Sequence, residues 1–146
     1  MTPLSQTRWR SSGGAAYRAR VDSPARVTRP LTDRERAILD GFLSFDFAGV
    51  DELRAQLPTL RVNPERSCRC GCGTVDLVAD RALTPAAATS PLPVGAEISG
   101  DGDIPLGGMI VFLLDGYLAS LEVYSYGSGP LDLPAIEGVV WSGPHE

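Results

Sequence analysis

The sequence predicts an α+β domain with an N-terminal helix pair packed on a mainly antiparallel sheet of about four or five strands. Three observations predict it. Apolar residues between positions 38 and 57 recur with a helical period: Ile38, Leu39, Phe42 and Leu43, then Val50, Leu53 and Leu57. From Leu60 onward the pattern changes to the twofold alternation of strands. Finally, Asp115-Gly116 separates two apolar runs, Met109 to Leu114 and Tyr117 to Tyr124. That dipeptide suits a two-residue hairpin turn, whose central residues both need positive φ.

The 146 residues fit one domain with a core of its own, and 43% apolar with 21% charged residues is ordinary for a globular chain. No apolar run approaches the roughly 18 to 20 residues that cross a bilayer. Arg8 and Arg10 are not followed by the apolar stretch of a secretory signal. A cytoplasmic protein without a membrane partner is therefore expected, and an odd cysteine count fits reduced thiols better than a disulfide scaffold. Every basic residue is arginine. The absence of lysine excludes Schiff-base chemistry and P-loop phosphate binding. Residues 1–30 carry a balance of +5 and residues 31–146 a balance of −10. An acidic body repels nucleic acid and attracts basic protein partners.

Taken in order, residues 1–30 form a basic leader with Ser11-Ser12-Gly13-Gly14, Pro24, Pro30 and few large apolar side chains. Such a segment cannot bury enough surface to offset its ordering entropy, so disorder is expected. The folded domain is expected over 31–146. Thr32-Asp33-Arg34-Glu35 is a capping box, and the helix it starts should run from Asp33 to about Ser44. A second helix is expected from about Val50 to Gln56, ended by Pro58. Leu60 to Val62 opens a strand, and Asn63-Pro64 marks a turn. Thr74 to Ala79 alternates, with Val75, Leu77 and Ala79 on the buried side and Thr74 and Asp76 on the other. Leu83 to Pro93 reads as a long surface loop, Val94 to Ile98 as a weak strand, and Gly100 to Asp103 as a turn. Regular pairing across the hairpin would set Leu114 against Tyr117, Phe112 against Ala119, and Ile110 against Leu121. Both faces are apolar near the turn, so both need cover, from the helices on one side and from loops or a homodimer partner on the other. Val139 to Trp141 is the last piece of buried chain expected.

Chemistry is suggested at one place. Cys68, Cys70 and Cys72 lie at i, i+2 and i+4, beside Gly71 and Gly73. In an extended strand the outer two would stand about 13 Å apart, too far to share one ion. One zinc could take all three only if the glycines fold the chain into a knuckle. A fourth ligand would have to be Asp76 or His145, the single histidine. Buried structural thiols in a tight turn, a metal site and a redox site are the three readings. Catalytic patterns otherwise fail: there is no P-loop, no G-x-G-x-x-G and no base for a Ser-His-Asp or Cys-His arrangement except His145. Asp101-Gly102-Asp103 lacks the later ligands of a calcium loop. Asp76 and Glu122 would form an acid–base pair only if the sheet brought them together.

The segment Cys70-Gly71-Cys72-Gly73-Thr74-Val75-Asp76-Leu77, with the Leu31-Thr32-led helix before it and the Asp115-Gly116 hairpin after it, resembles a C-G-C-x-[ST]-V-D-L segment. That segment belongs to a family of small uncharacterised α+β proteins of high-GC bacteria. Their general build is similar to that of immunity proteins that neutralise secreted toxins. The resemblance implies a non-enzymatic binding protein whose acidic surface docks a basic partner. The alternative is a metal-binding or thiol-redox protein built on Cys68, Cys70 and Cys72.

Overall fold

The computed structural model describes residues 27–65 and 71–144. The fold is α+β, with two α-helices and a seven-stranded antiparallel sheet. In chain order the elements are β1 (Arg29–Pro30), α1 (Asp33–Phe42), α2 (Val50–Gln56), β2 (Arg61–Asn63), β3 (Val75–Val78), β4 (Gly95–Ser99), β5 (Pro105–Leu114), β6 (Tyr117–Ser125) and β7 (Val139–Ser142). The strands lie in the order β1-β2-β3-β6-β5-β4-β7. Among the described residues no helix is long and apolar enough to cross a membrane.

The expected helix pair is present. Thr32 Oγ1 accepts from the Glu35 amide, and the Glu35 carboxylate accepts from the Thr32 amide, so the capping box is complete. Helix α1 ends at Phe42, one half-turn before the expected Ser44. Helix α2 matches its expected bounds, but Pro58 does not end the coiled chain at once. Leu57–Thr59 adds a 3-10 turn, which a proline near its start tolerates because the missing N–H is not needed there. Ile38, Leu39, Phe42 and Leu53 are fully buried against Val62, Leu77, Met109, Val111 and Leu121 of the sheet. Trp141 on β7 closes this layer, its ring edge-on to Phe42 at 5.2 Å, over the bare backbone of Gly41.

The sheet has seven strands, not four or five, for two local reasons. First, Arg29 and Pro30, assigned from sequence to the disordered leader, pair with Val62 and Arg61 as β1. The guanidinium of Arg29 makes two hydrogen bonds of 2.8–2.9 Å to the Glu35 carboxylate, so the strand is held by the cap of the next helix rather than by apolar periodicity. The remainder of the predicted leader, 1–26, lies outside the described residues. Second, β7 pairs along its whole length with β4, from Gly95↔Ser142 to Ile98↔Val139. Its turn-rich surroundings hide this in the sequence.

The hairpin holds the main correction. Asp115 and Gly116 do adopt positive φ, 54° and 86°, and Leu114 does face Tyr117. Beyond that the register slips: Leu113 faces Leu118, but Phe112 faces Ser120, so Ala119 is an extra residue in β6. A β-bulge of this kind leaves two residues opposite one and interrupts the alternation of faces. Leu118 is thereby buried with the helices at 1% exposure. Met109, Val111, Leu121 and Val123 line the core, while Ile110, Phe112, Ser120 and Glu122 face away from it. Regular pairing had placed Ile110, Phe112, Leu121 and Val123 on one face, which this register excludes.

A bulge exposes backbone polar groups that need partners. The side chain of Gln56, buried at 0% exposure, supplies one for the Leu118 amide and ties down the turn and loop beside it. Its Oε1 accepts from the Leu118 amide at 2.9 Å, and its Nε2 donates to the carbonyls of Gly116 at 3.0 Å and Thr84 at 3.4 Å. The stretch read as a surface loop runs beside this turn. Ala86 donates to the Gly116 carbonyl, Leu92 to Val111, and Tyr117 Oη to the Leu83 carbonyl. Ala86, Leu92 and Val94 are buried in consequence.

Replacing Gln56 by leucine keeps the volume and removes every one of these partners. The Gln56→Leu variant should lose about 2–4 kcal/mol in urea unfolding, and its Leu118 amide should exchange faster with solvent. A loss under about 0.5 kcal/mol would show that the bulge does not depend on this amide.

Candidate functional site

The helices cover one face of the sheet, and the bulge determines which residues occupy the other. Three rows cross the strands there. Asp76 on β3 faces Ser120 on β6, which faces Phe112 on β5. Glu122 faces Ile110. Tyr124 faces Gly108, which faces Glu97 on β4, which faces Val140 on β7. Asp76 is buried, Ser120, Phe112 and Ile110 are half-buried, and Glu122, Tyr124, Glu97 and Val140 are exposed. From β3 to β7 the strand residues of this face bring three carboxylates and no arginine, and Arg61 lies on the same face at the neighbouring strand β2.

Asp76 and Glu122, the pair considered for acid–base work, do share this face. They sit diagonally on neighbouring strands, because Asp76 is opposite Ser120, two residues before Glu122. Diagonal neighbours of this kind stand about 7–8 Å apart at the backbone. Both line a shallow hollow with Phe112, Leu113, Leu114, Ala119 and Ser120.

The third row ends in an aromatic cluster. The rings of Tyr124 and Tyr126 lie 5.9 Å apart at a tilt of 55°. Gly108 allows this: a Cβ there would occupy the position of the Tyr124 phenol, so the ring lies directly over the backbone of β5. Tyr126 is fastened by its amide, which donates to the Leu106 carbonyl at 2.9 Å. The phenol of Tyr126 is held above the ordinary tyrosine range by partial desolvation, then by the neighbouring Tyr124 phenol and the Glu97 carboxylate. Tyr126 is 59% exposed and Val140 55%. Leu106, whose carbonyl receives the Tyr126 amide, is exposed at the start of β5, as is Ile104 just before it. Exposed apolar and aromatic groups gathered in one place mark interaction surfaces, whereas scattered ones do not.

The cysteine segment is placed elsewhere. Cys68 and Cys70 lie outside the described residues. Cys72 is half-buried in a cleft lined by Arg29, Arg34, Glu35, Thr74 and Asp132, on the α1 side of β3. Gly71 has φ 98°, as the expected tight turn requires. Gly73 packs against the backbone of Leu133, and its amide donates to the Leu131 carbonyl at 3.1 Å. Arg34 reaches the Leu133 carbonyl from α1 at 3.1 Å. This stretch therefore clamps the 131–133 loop to the start of β3. Among the described residues no three His, Cys, Asp or Glu side chains are grouped to hold a metal ion, and His145 lies outside them.

Sequence reasoning singled out Asp76 and Glu122 and missed Glu97, Tyr124 and Tyr126. The available signal was Tyr124-x-Tyr126 at the end of one apolar run with Gly107-Gly108 at the start of the other, bare backbone opposite a large ring. No family model, curated protein or solved structure matches the chain.

The Cys72 cleft contains a carboxylate, Glu35, whose ionisation is favoured by its surroundings. Burial opposes the ionisation of Glu35, but its bonds from Arg29 and from the Thr32 amide outweigh burial and hold the carboxyl below its ordinary value. A depressed folded-state value adds stability that is complete above the unfolded value, about 4.3, and is lost as pH falls through the folded one. Glu35→Gln should therefore cost about 1–2 kcal/mol at neutral pH, the half-exposed Arg29 limiting the effect. The gap between wild type and variant should narrow on acidification below about pH 4. Urea melts at a series of pH values check this; a pH-independent gap would refute it.

Proposed function

We propose that the chain is a non-enzymatic binding protein, of the type that neutralises a partner by covering it, and that it docks a basic protein on the open face of its sheet. The observation that carries this reading is the charge of that face between β4 and β6: Glu97 and Glu122 stand exposed there, and no described ion pair involves either of them. Arg54, by contrast, pairs with Asp46 and Asp51, and Arg29 with Glu35, at other parts of the surface. A carboxylate field with exposed tyrosines has the composition of an interface centre. Aromatic groups supply contact area at low entropic cost, and uncompensated charge steers the encounter and selects the partner's sign.

Neither the cysteine cleft nor the Asp76–Glu122 hollow competes with this reading. In the cleft, the Glu35 oxygens are already committed to Arg29 and Thr32. In the hollow, the described residues around the two carboxylates are mainly apolar, with Ser120 the other polar side chain among them.

The test is charge reversal. Tagged wild-type chain should retain a basic protein from cells of its source at low salt and release it by about 0.5 M salt, where screening reaches within a few ångströms. The Glu97→Lys, Glu122→Lys double variant should fold normally, both sites being exposed, and should retain less than about a tenth as much. Equal retention by the variant would remove this face as the docking surface.

A further inference from the structure

We infer that the centre of this face is an arginine-reading site made by Tyr124, Tyr126 and Glu97. The inference rests on the docking reading above and specifies which partner side chain it takes.

The three groups are brought together by what β5 lacks. Tyr124 on β6 and Glu97 on β4 both face Gly108 on the strand between them, so no side chain separates the phenols from the carboxylate. The tyrosine rings are positioned before any partner arrives. Tyr124 rests on the Gly108 backbone, and Tyr126 is tied through its amide to Leu106. Their faces remain open, at 42% and 59% exposure. No described cation pairs with Glu97.

A guanidinium fits this arrangement better than an ammonium does. It is planar and weakly hydrated, so it stacks on an aromatic face while its N–H fork meets a carboxylate beside the ring. A lysine ammonium is a compact, strongly hydrated charge that gains less from either contact. The chain contains an internal example of the stacking half of this geometry: the Arg81 guanidinium lies 4.6 Å from the centroid of the Tyr117 ring. Around the site, Leu106 and Val140 offer apolar surface to the methylenes of an arginine stem. The raised phenol of Tyr126 agrees with an electron-rich, acidic neighbourhood that favours an incoming cation.

The experiment titrates the full chain with two fluorescent peptides of equal length and charge, one alternating glycine with arginine and the other glycine with lysine. The arginine peptide should bind about tenfold more tightly than the lysine peptide. Glu97→Gln and Tyr126→Ala should each weaken the arginine peptide about fivefold or more and bring the two peptides close together. Tyr126→Phe, which keeps the ring, should stay within about twofold of wild type, as should Asp40→Asn on the exposed side of α1, away from this face. Thermal melts of each variant confirm folding. Equal affinity for the two peptides, binding of neither, or a loss in Tyr126→Phe as large as in Tyr126→Ala would overturn the inference. If the charge-reversed double variant nevertheless releases the basic partner, the acidic face docks it without an arginine-specific centre. If it does not, the docking reading itself has failed.

Discussion

A side chain from outside the sheet satisfies the amide that the bulge in β6 leaves without a ladder partner and holds the turn before it. Gln56 reaches from the last turn of α2 to the Leu118 amide and the Gly116 carbonyl, 62 and 60 residues further along the chain. An amide carries both a donor and an acceptor, so one residue can answer both kinds of exposed group. Buried in a low-dielectric interior, such bonds are stronger than in water and costly to leave unmade. The helix pair is thus joined to the hairpin by direction-specific contacts as well as by apolar area.

That join decides the surface. With Ala119 taken out of the alternation, Met109 and Val111 turn inward, and Ile110 and Phe112 turn outward beside Ser120 and Glu122. The open face then gains its mixture of carboxylates and half-buried apolar groups. The Gly107-Gly108 pair acts on the same surface by a different route. The missing side chain of Gly108 lets the Tyr124 ring lie over β5, and Tyr124 and Tyr126 come within electrostatic reach of Glu97 on the next strand.

The legible parts of the fold were those governed by near neighbours. Thr32 and Glu35 are three residues apart and form the same capping box in any context that permits a helix. Asp115-Gly116 adopts its positive φ values because those residue types tolerate them. Strand β1 was not legible, since Arg29 and Pro30 have neither β propensity nor alternation and are held by the Glu35 carboxylate and the edge of β2. The cysteine segment drew notice for its residue types. Its described part, however, serves as a close-packed junction: Gly73 takes up the space beside Leu133, and Cys72 sits near the cap of α1. Glu97, Tyr124 and Tyr126 lie up to 29 residues apart and converge only through strand register.

By itself the sequence determined the α+β class, the two helices and the cap of the first, the hairpin turn and the acidity of the body, because each follows from composition or from residues within one turn of one another. Tertiary structure alone decided the number of strands, the position of the bulge and hence which apolar residues are buried. The physical reason is the range of the interactions involved. A strand fully apolar near its turn offers two registers of similar hydrophobic content, and a one-residue slip exchanges its faces. The choice falls to hydrogen bonds from Gln56, which no local pattern in the hairpin announces.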